Sequence, residues 1–432
     1  MRRLACLLAF AGCADILGIR DPVLPESGDA SPVDAPGVLD GPPSAIDAPP
    51  VPDARMGPDA NTCTWPYEPI DFNPCSLPAD NGDLTLNGGT IEIDTDTIHT
   101  GAGDISLTNR QTQAQPGASC PLKLYVFLTG TLSGTINVRG TCPAALIFLG
   151  DVTIAGGTTL DASAEATAGP GGNDATACAT ATGTKGGDVT AALSAAGGGG
   201  GGGHGATGGM GAAGGGTAGG GGGAFGETAA EPPGLHGGCA GGEGGNGNLS
   251  GGGSGGGGAP GDGGGALQMS SKGTIRVNGT ARLRANGGGG QGAQLLGGLL
   301  EATGGGGGGS GGTILLEAAL VDFLPTANKP TLCATGGGGG EGGGSTLGAG
   351  GADGQPGTCS ATANANGGGD KGNGGNGGDG GYGDGPLQVG RPGGSGTGGG
   401  GGGGGAAGRI IVHSQQTSPV GDAVFSPSVT LR

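Results

Sequence analysis

Five short segments share one hydrophobic pattern: GTIEI from Gly89, GTINV from Gly134, GTIRV from Gly273, GTILL from Gly312 and GRIIV from Gly408. In each, an isoleucine and a second branched aliphatic two residues later fall on one face of an extended chain. That is the period of a half-buried β-strand. Two more strands follow in GTTLDASA at Gly157 and GTARLRANGG at Gly279. Short strands, small-residue turns and variable insertions predict an all-β chain built as a parallel β-helix, or solenoid. Each coil would bury one or two aliphatics against its neighbours. The alternative is an antiparallel β-sandwich with disordered glycine loops, which also uses short alternating strands. Tight two-residue hairpin signals are scarce, and that favours the solenoid.

The insertions are glycine tracts with an internal period. In GNGGNGGDGGYG, Asn373, Asn376, Asp379 and Tyr382 recur every third residue; His204, Thr207, Met210 and Ala213 do the same, and Glu243 and Asn246 begin a third example. A polyproline-II-type helix has three residues per turn, so this spacing aligns the side chains in one stripe and leaves two bare glycine faces. Such helices can lie close together and pair through their backbones. The opposing expectation is flexible loops, because a glycine run loses roughly 1–2 kcal/mol per residue on ordering.

Composition sharpens this picture. The chain has 119 glycines in 432 residues, against roughly 7% in ordinary domains. The glycines come in bursts and proline mostly sits elsewhere, which excludes a collagen triple helix. Core-forming aliphatics concentrate in residues 84–160, 267–332 and 409–431, as in one elongated domain with a thin repeated core. With a net charge of −18 and seventeen scattered Lys and Arg residues, the chain has no basic face for nucleic acid.

The opening MRRLACLLAFAGCADILGI has two arginines, a short apolar run and small residues before Cys13. It resembles a bacterial lipoprotein signal, with Phe10, Ala11, Gly12 and Cys13 at the lipobox and Phe10 in place of the usual leucine. The resemblance implies residues 1–12 as signal peptide, diacylglycerol on the Cys13 thiol, and an exported protein held on the membrane by its lipid. Ala14, rather than Asp, follows Cys13; by the family's sorting habit this implies the outer membrane or cell surface. Residues 13–62 read as a lipid-anchored disordered spacer: positions 21–62 hold ten prolines, eight acids, one base (Arg55) and no aromatic residue. At ~3.1 Å per residue it would reach on the order of 100 Å. Residues 63–432 would form the folded domain. No later run approaches the ~20 apolar residues of a membrane helix.

From about Gly197 to Ser414, the Gly-Gly-x tracts resemble the glycine-rich, PE-PGRS-like surface proteins of bacteria, although the N-terminal domain that names that family is not visible. The Asp-Ala-Pro spacer after the lipobox looks like that of delta-proteobacterial, myxobacterial-type lipoproteins. These likenesses imply a cell-surface location and a repeat fold more than any activity.

Beyond Cys6 and Cys13, eight cysteines remain: Cys63, Cys75, Cys120, Cys142, Cys178, Cys239, Cys333 and Cys359. An even count in an exported chain reads as a disulfide framework with 105 conceivable pairings, of which the sequential one is simplest.

Candidate chemistry is thin. A phosphate loop needs lysine followed by Ser or Thr; GGGGSGGT has no lysine, and GTKGG at Lys185 lacks the hydroxyl. No nucleotide partner is expected. The one carboxylate cluster on a strand is IEIDTDTIH, with Glu92, Asp94 and Asp96 expected on a single face, His99 close by and no basic residue beside them. Such a cluster could serve a β-helix carbohydrate-active enzyme, a polysaccharide lyase or hydrolase. Its plainer reading is a solvated outer face. Calcium, the one cofactor with oxygen-rich candidate positions, could use Asp94 and Asp96, or Asp379 and Asp384. His204 and His236 are expected in glycine tracts without packed neighbours, and His413 at a strand end. No nucleophile elbow stands between a strand and a helix. The expectation is therefore a non-enzymatic surface lipoprotein, structural or adhesive, whose partners are the membrane through its lipid and surface glycans or proteins.

Overall fold

The computed structural model describes residues 64–189, 194–215, 217–223, 234–248, 254–294, 302–344, 350–369, 371, 373–417 and 420–432. The chain divides into two units, Met1–Pro58 and Asp59–Arg432, and every described residue belongs to the second. The expected signal peptide, Cys13, the spacer and Cys63 lie outside the described residues.

The described chain is all-β, its only helical turns being short 3-10 segments at Pro74–Ser76, Gly385–Gln388 and Val420–Asp422. The first run of strands is β1 (Leu84–Glu92), β2 (Thr97–Thr100), β3 (Gly103–Ser106), β4 (Arg110–Gln113), β5 (Leu122–Phe127), β6 (Gly130–Arg139), β7 (Ala144–Phe148), β8 (Val152–Ile154) and β9 (Thr159–Asp161). A small antiparallel pair, β10 (Gly247–Asn248) with β11 (Ser254–Gly255), sits among the glycine tracts. Then come β12 (Ala266–Asn278), β13 (Arg282–Arg284), β14 (Thr313–Leu324), β15 (Thr331–Cys333), β16 (Arg409–Thr417), β17 (Val424–Ser426) and β18 (Val429–Leu431). All but β10 and β11 join one sixteen-stranded mixed sheet. Its antiparallel pairings are β1–β2, β2–β3 and β4–β5; the remaining ladders are parallel.

The parallel ladders keep like residues in columns. Tyr125, Leu146, Met269, Leu316 and Val412 stand in register across β5, β7, β12, β14 and β16. Ile136, Leu160, Leu283, Leu332 and Phe425 form a second column across β6, β9, β13, β15 and β17. Val152, Ile275 and Val321 form a third. These side chains make one continuous core, almost all of them fully buried. Burial is favourable at roughly 25 cal/mol per Å² of apolar surface, so each column is a run of nearest-neighbour attractions.

The five motifs are strands, but they are not equivalent positions. GTILL pairs with GRIIV, Ile314 opposite Ile410, and both align with residues 266–269 of β12. GTIRV lies in the second half of β12, where Ile275 faces Val321. One local pattern thus serves two columns, because both need the same pair of inward aliphatics.

The opposite face of the long strands is also covered. Leu124, Ala145, Leu315 and Ile411 meet Phe72, with Trp65, Ile70 and Leu77 packed alongside. The segment that begins the described chain therefore straps across β5, β7, β14 and β16.

The glycine tracts are packed, and their bonding has a period of three. Gly304, Gly307 and Ser310 donate to Gly245, Gly242 and Cys239; Gly305, Gly308 and Gly311 donate to Gly400, Gly403 and Ala406; Gly306, Gly309 and Gly312 donate to Gln291, Gly288 and Ala285, all at 2.7 to 3.0 Å. Three other segments donate into the same tract, from Gly199 and Gly202, from Gly258, Gly261 and Gly264, and from Gly337 and Gly340. One bare backbone thus has six bonded neighbours. Glycine is required sterically: a Cβ on Gly307 would sit well under 3.0 Å from the carbonyl of Gly200, and one on Gly402 would meet that of Gly306. Each net backbone bond contributes about 0.5–1.5 kcal/mol, the same order as the ordering cost it offsets.

Three cysteine pairs are bridged, Cys120–Cys142, Cys178–Cys239 and Cys333–Cys359, with Cα separations of 5.3, 5.5 and 5.2 Å. These are three of the four sequential pairs. The fourth, Cys63–Cys75, involves a cysteine outside the described residues.

Candidate functional site

Glu92 closes β1 opposite Arg139 of the parallel β6 and opposite Thr97 of β2. Strand alternation turns Ile91 and Ile93 into the core and leaves Glu92 and Asp94 facing out. Both line a cavity of about 710 Å³ with Ser119, Arg139, Thr141 and Asp174. Asp94 accepts from the Thr141 N–H at 3.0 Å and from its hydroxyl at 2.9 Å. Arg139 pairs with Glu165 at 2.8 Å.

Asp96 does not share their face. It sits in the β1–β2 turn with φ of +53°, in the left-handed region, and its side chain is buried. Oδ1 accepts from the Tyr125 hydroxyl at 2.8 Å and lies 3.2 Å from Lys123 Nζ; Oδ2 lies 2.9 Å from Arg110. The turn breaks the alternation on which a shared face depended. The expectation of no neighbouring base also fails, since β4 and β5 bring Arg110 and Lys123 to Asp96. Burial, then the Asp96 carboxylate, pushes the Tyr125 hydroxyl far above its usual range. His99 pairs with Asp104 at 2.8 Å on the exposed β2–β3 hairpin.

Asp174 lines the same cavity and was not singled out from sequence. Its Oδ1 accepts from the N–H groups of Thr176 and Ala177 at 2.9 Å, and its Oδ2 from the Ser119 hydroxyl at 2.6 Å and the Cys120 N–H at 2.9 Å. Burial alone would raise its pKa, but these donors outweigh burial and hold it at about 2. The carboxylate thereby fixes the loop carrying the Cys120–Cys142 bridge.

The other candidates scatter. Asp379 accepts from Gly367 N–H at 3.1 Å and pairs with Arg391 at 3.2 Å, whereas Asp384 is exposed. Among the described residues there is no cluster of three His, Cys, Asp or Glu able to hold a metal ion. His204 and His236 are buried, packed edge to face with ring centroids 5.0 Å apart, contrary to the expectation of no packed neighbours. His204 Nε2 lies 2.8 Å from the Thr313 hydroxyl, which donates to the His236 carbonyl. Burial, then His236 and Arg409, holds His204 well below the usual histidine value.

His413 lies within β16 rather than at a strand end, in register with Glu317, which is itself opposite Ser270. Glu317 is fully buried and accepts from Ile70 N–H at 2.9 Å, Gln268 Nε2 at 2.6 Å and Ser270 Oγ at 2.8 Å, with His413 Nδ1 at 3.3 Å. The Tyr67 hydroxyl donates to the carbonyls of Ser271 and Glu317 at 3.1 and 3.0 Å. One carboxylate therefore joins three stacked strands to the strap. A charged residue inside the apolar run TILLEAAL is the signal that could have found it. Comparison with family models, curated proteins and solved structures gave no match.

Proposed function

We propose that this chain is an exported, lipid-anchored surface protein with a structural or adhesive role. Its folded part would be a parallel β-solenoid braced by polyproline-II-type glycine helices. The observation that carries the reading is the six-neighbour bonding of residues 304–312, which favours a stiff body over loose fringes. In-register parallel columns support the solenoid, and a three-residue bonding period supports the helix type. Asn373 and Asn376 project from the packed glycines as exposed polar side chains, suited to adhesion. Cys13 would carry the lipid, and residues 13–62 would hold the body off the membrane. Binding of the full chain to arrays of cell-surface glycans and matrix proteins tests adhesion; uniform silence would leave only the structural role.

A second reading, a carbohydrate-active enzyme, draws support from the cavity shared by Glu92, Asp94 and Arg139. Cleavage of an acidic polysaccharide that disappears in Glu92→Gln and Asp94→Asn would establish it.

A further inference from the structure

His204 and His236 sit where the glycine tracts run into the sheet. Ser310 Oγ donates to the Gly203 carbonyl at 3.2 Å and accepts from the Cys239 N–H at 2.7 Å. Residues 194–215, 234–248 and 302–312 therefore meet at this point, just before Thr313 opens β14. The Cys178–Cys239 bridge anchors the second of these segments.

The Thr313 hydroxyl has a single hydrogen, and the His236 carbonyl accepts it at 2.9 Å. The hydroxyl must then accept from His204, so the hydrogen of that neutral ring is on Nε2. The two histidines are 2% and 4% exposed, with ring centroids 5.0 Å apart. A second proton on His204 makes a buried cation beside another imidazole.

The surroundings do not balance that charge. Residues 194–215 and 302–312 carry no other ionisable side chain, and residues 234–248 add only Glu243, which is exposed. Arg409, at the start of β16, is a like charge that acts with burial and His236 to keep His204 neutral. The strap's Asp71 lines a small cavity with His236 and Arg409, but Asp71 and Arg409 each already have a partner. Glu317 and His413 lie further along β14 and β16 and face one another. A buried, unbalanced charge is relieved by losing the proton or by opening the site to water.

We propose that His204, His236 and Thr313 form an acid-released latch. Neutral imidazoles fasten the glycine tracts to the root of β14, and acidification frees the tracts while the strand stack stays closed. A histidine kept neutral by folding stabilises the closed form above its ordinary pKa, and that contribution is lost as pH falls below about 6.5. The device is independent of any adhesive role.

Amide exchange of the full chain between pH 7 and pH 5, corrected for its intrinsic pH dependence, tests the latch. That window lies above the acid range in which Asp174 titrates. Opening of residues 198–205 and 235–242 should rise roughly tenfold per pH unit below about 6.5 for each histidine that charges on opening. Residues 314–321 of β14 should stay protected. His204→Gln, whose amide can still donate to Thr313, should lose about one such factor per pH unit. Exchange of the histidine C2–H in wild type needs no variant: His204 should lag the exposed His99 at pH 7 and approach it on acidification. Tracts and β14 opening together at every pH, opening that does not change between pH 7 and pH 5, or an unaltered pH dependence in a folded His204→Gln overturns the latch. So does a His204 C2–H that exchanges as fast as that of His99 at pH 7.

Discussion

The backbone N–H of Ile70 donates to Oε1 of Glu317 at 2.9 Å, joining residues 247 apart in the chain. The bond fixes the strap on the strands it crosses, and Trp65, the chain's single tryptophan, lies in that strap.

Glu317→Ala removes the acceptor of three donors, the part-buried Ile70 N–H and the buried Gln268 Nε2 and Ser270 Oγ. Orphaned buried groups cost about 1–3 kcal/mol each, so a loss of several kcal/mol is expected. Trp65 contacts Tyr67 and Phe72 with ring centroids 5.4 Å apart in both cases. Its emission should shift to the red at a lower denaturant concentration in the variant than in wild type. Coincident transitions in the two proteins would count against the hub.

Gly307→Ala places a methyl group against the carbonyl of Gly200 inside the packed tracts. Overpacking of this kind costs about 1–3 kcal/mol. Gly101→Ala, where an added Cβ meets nothing within 4 Å, should change stability by less than about 0.5 kcal/mol. Thermal unfolding of the two variants side by side gives the comparison; equal effects would contradict close packing at Gly307.

The pKa of Asp174 is held at about 2, below the ordinary aspartate value. A depressed carboxylate stabilises the fold above its unfolded pKa, and that contribution disappears as pH falls from about 4 through about 2. Wild type should therefore melt above Asp174→Asn at pH 7, with the gap closing over that acid window. A gap constant from pH 7 to pH 2 would show that the charge of Asp174 contributes nothing.

The strands were legible because each GTI-type motif keeps its alternation whatever column it joins. Their equivalence was not legible. GTIRV at Gly273 and GTILL at Gly312 look like repeats of one another, yet Thr313 aligns with Ala266 and not with Thr274. Two inward-facing columns impose the same demand on local sequence, so periodicity alone cannot assign register. The acidic cluster failed for a different reason: a left-handed residue at Asp96 reverses the side-chain direction that extended geometry implies. The Glu317 site needed the register itself, since Ser270, Glu317 and His413 are neighbours only once β12, β14 and β16 are stacked.

The central claim is that glycine here forms a bonded lattice, and amide hydrogen exchange of residues 304–312 tests it most directly. The account predicts protection comparable to that of the buried strand β14, released only by global unfolding. Exchange in that tract at the rate of a denatured peptide would contradict it.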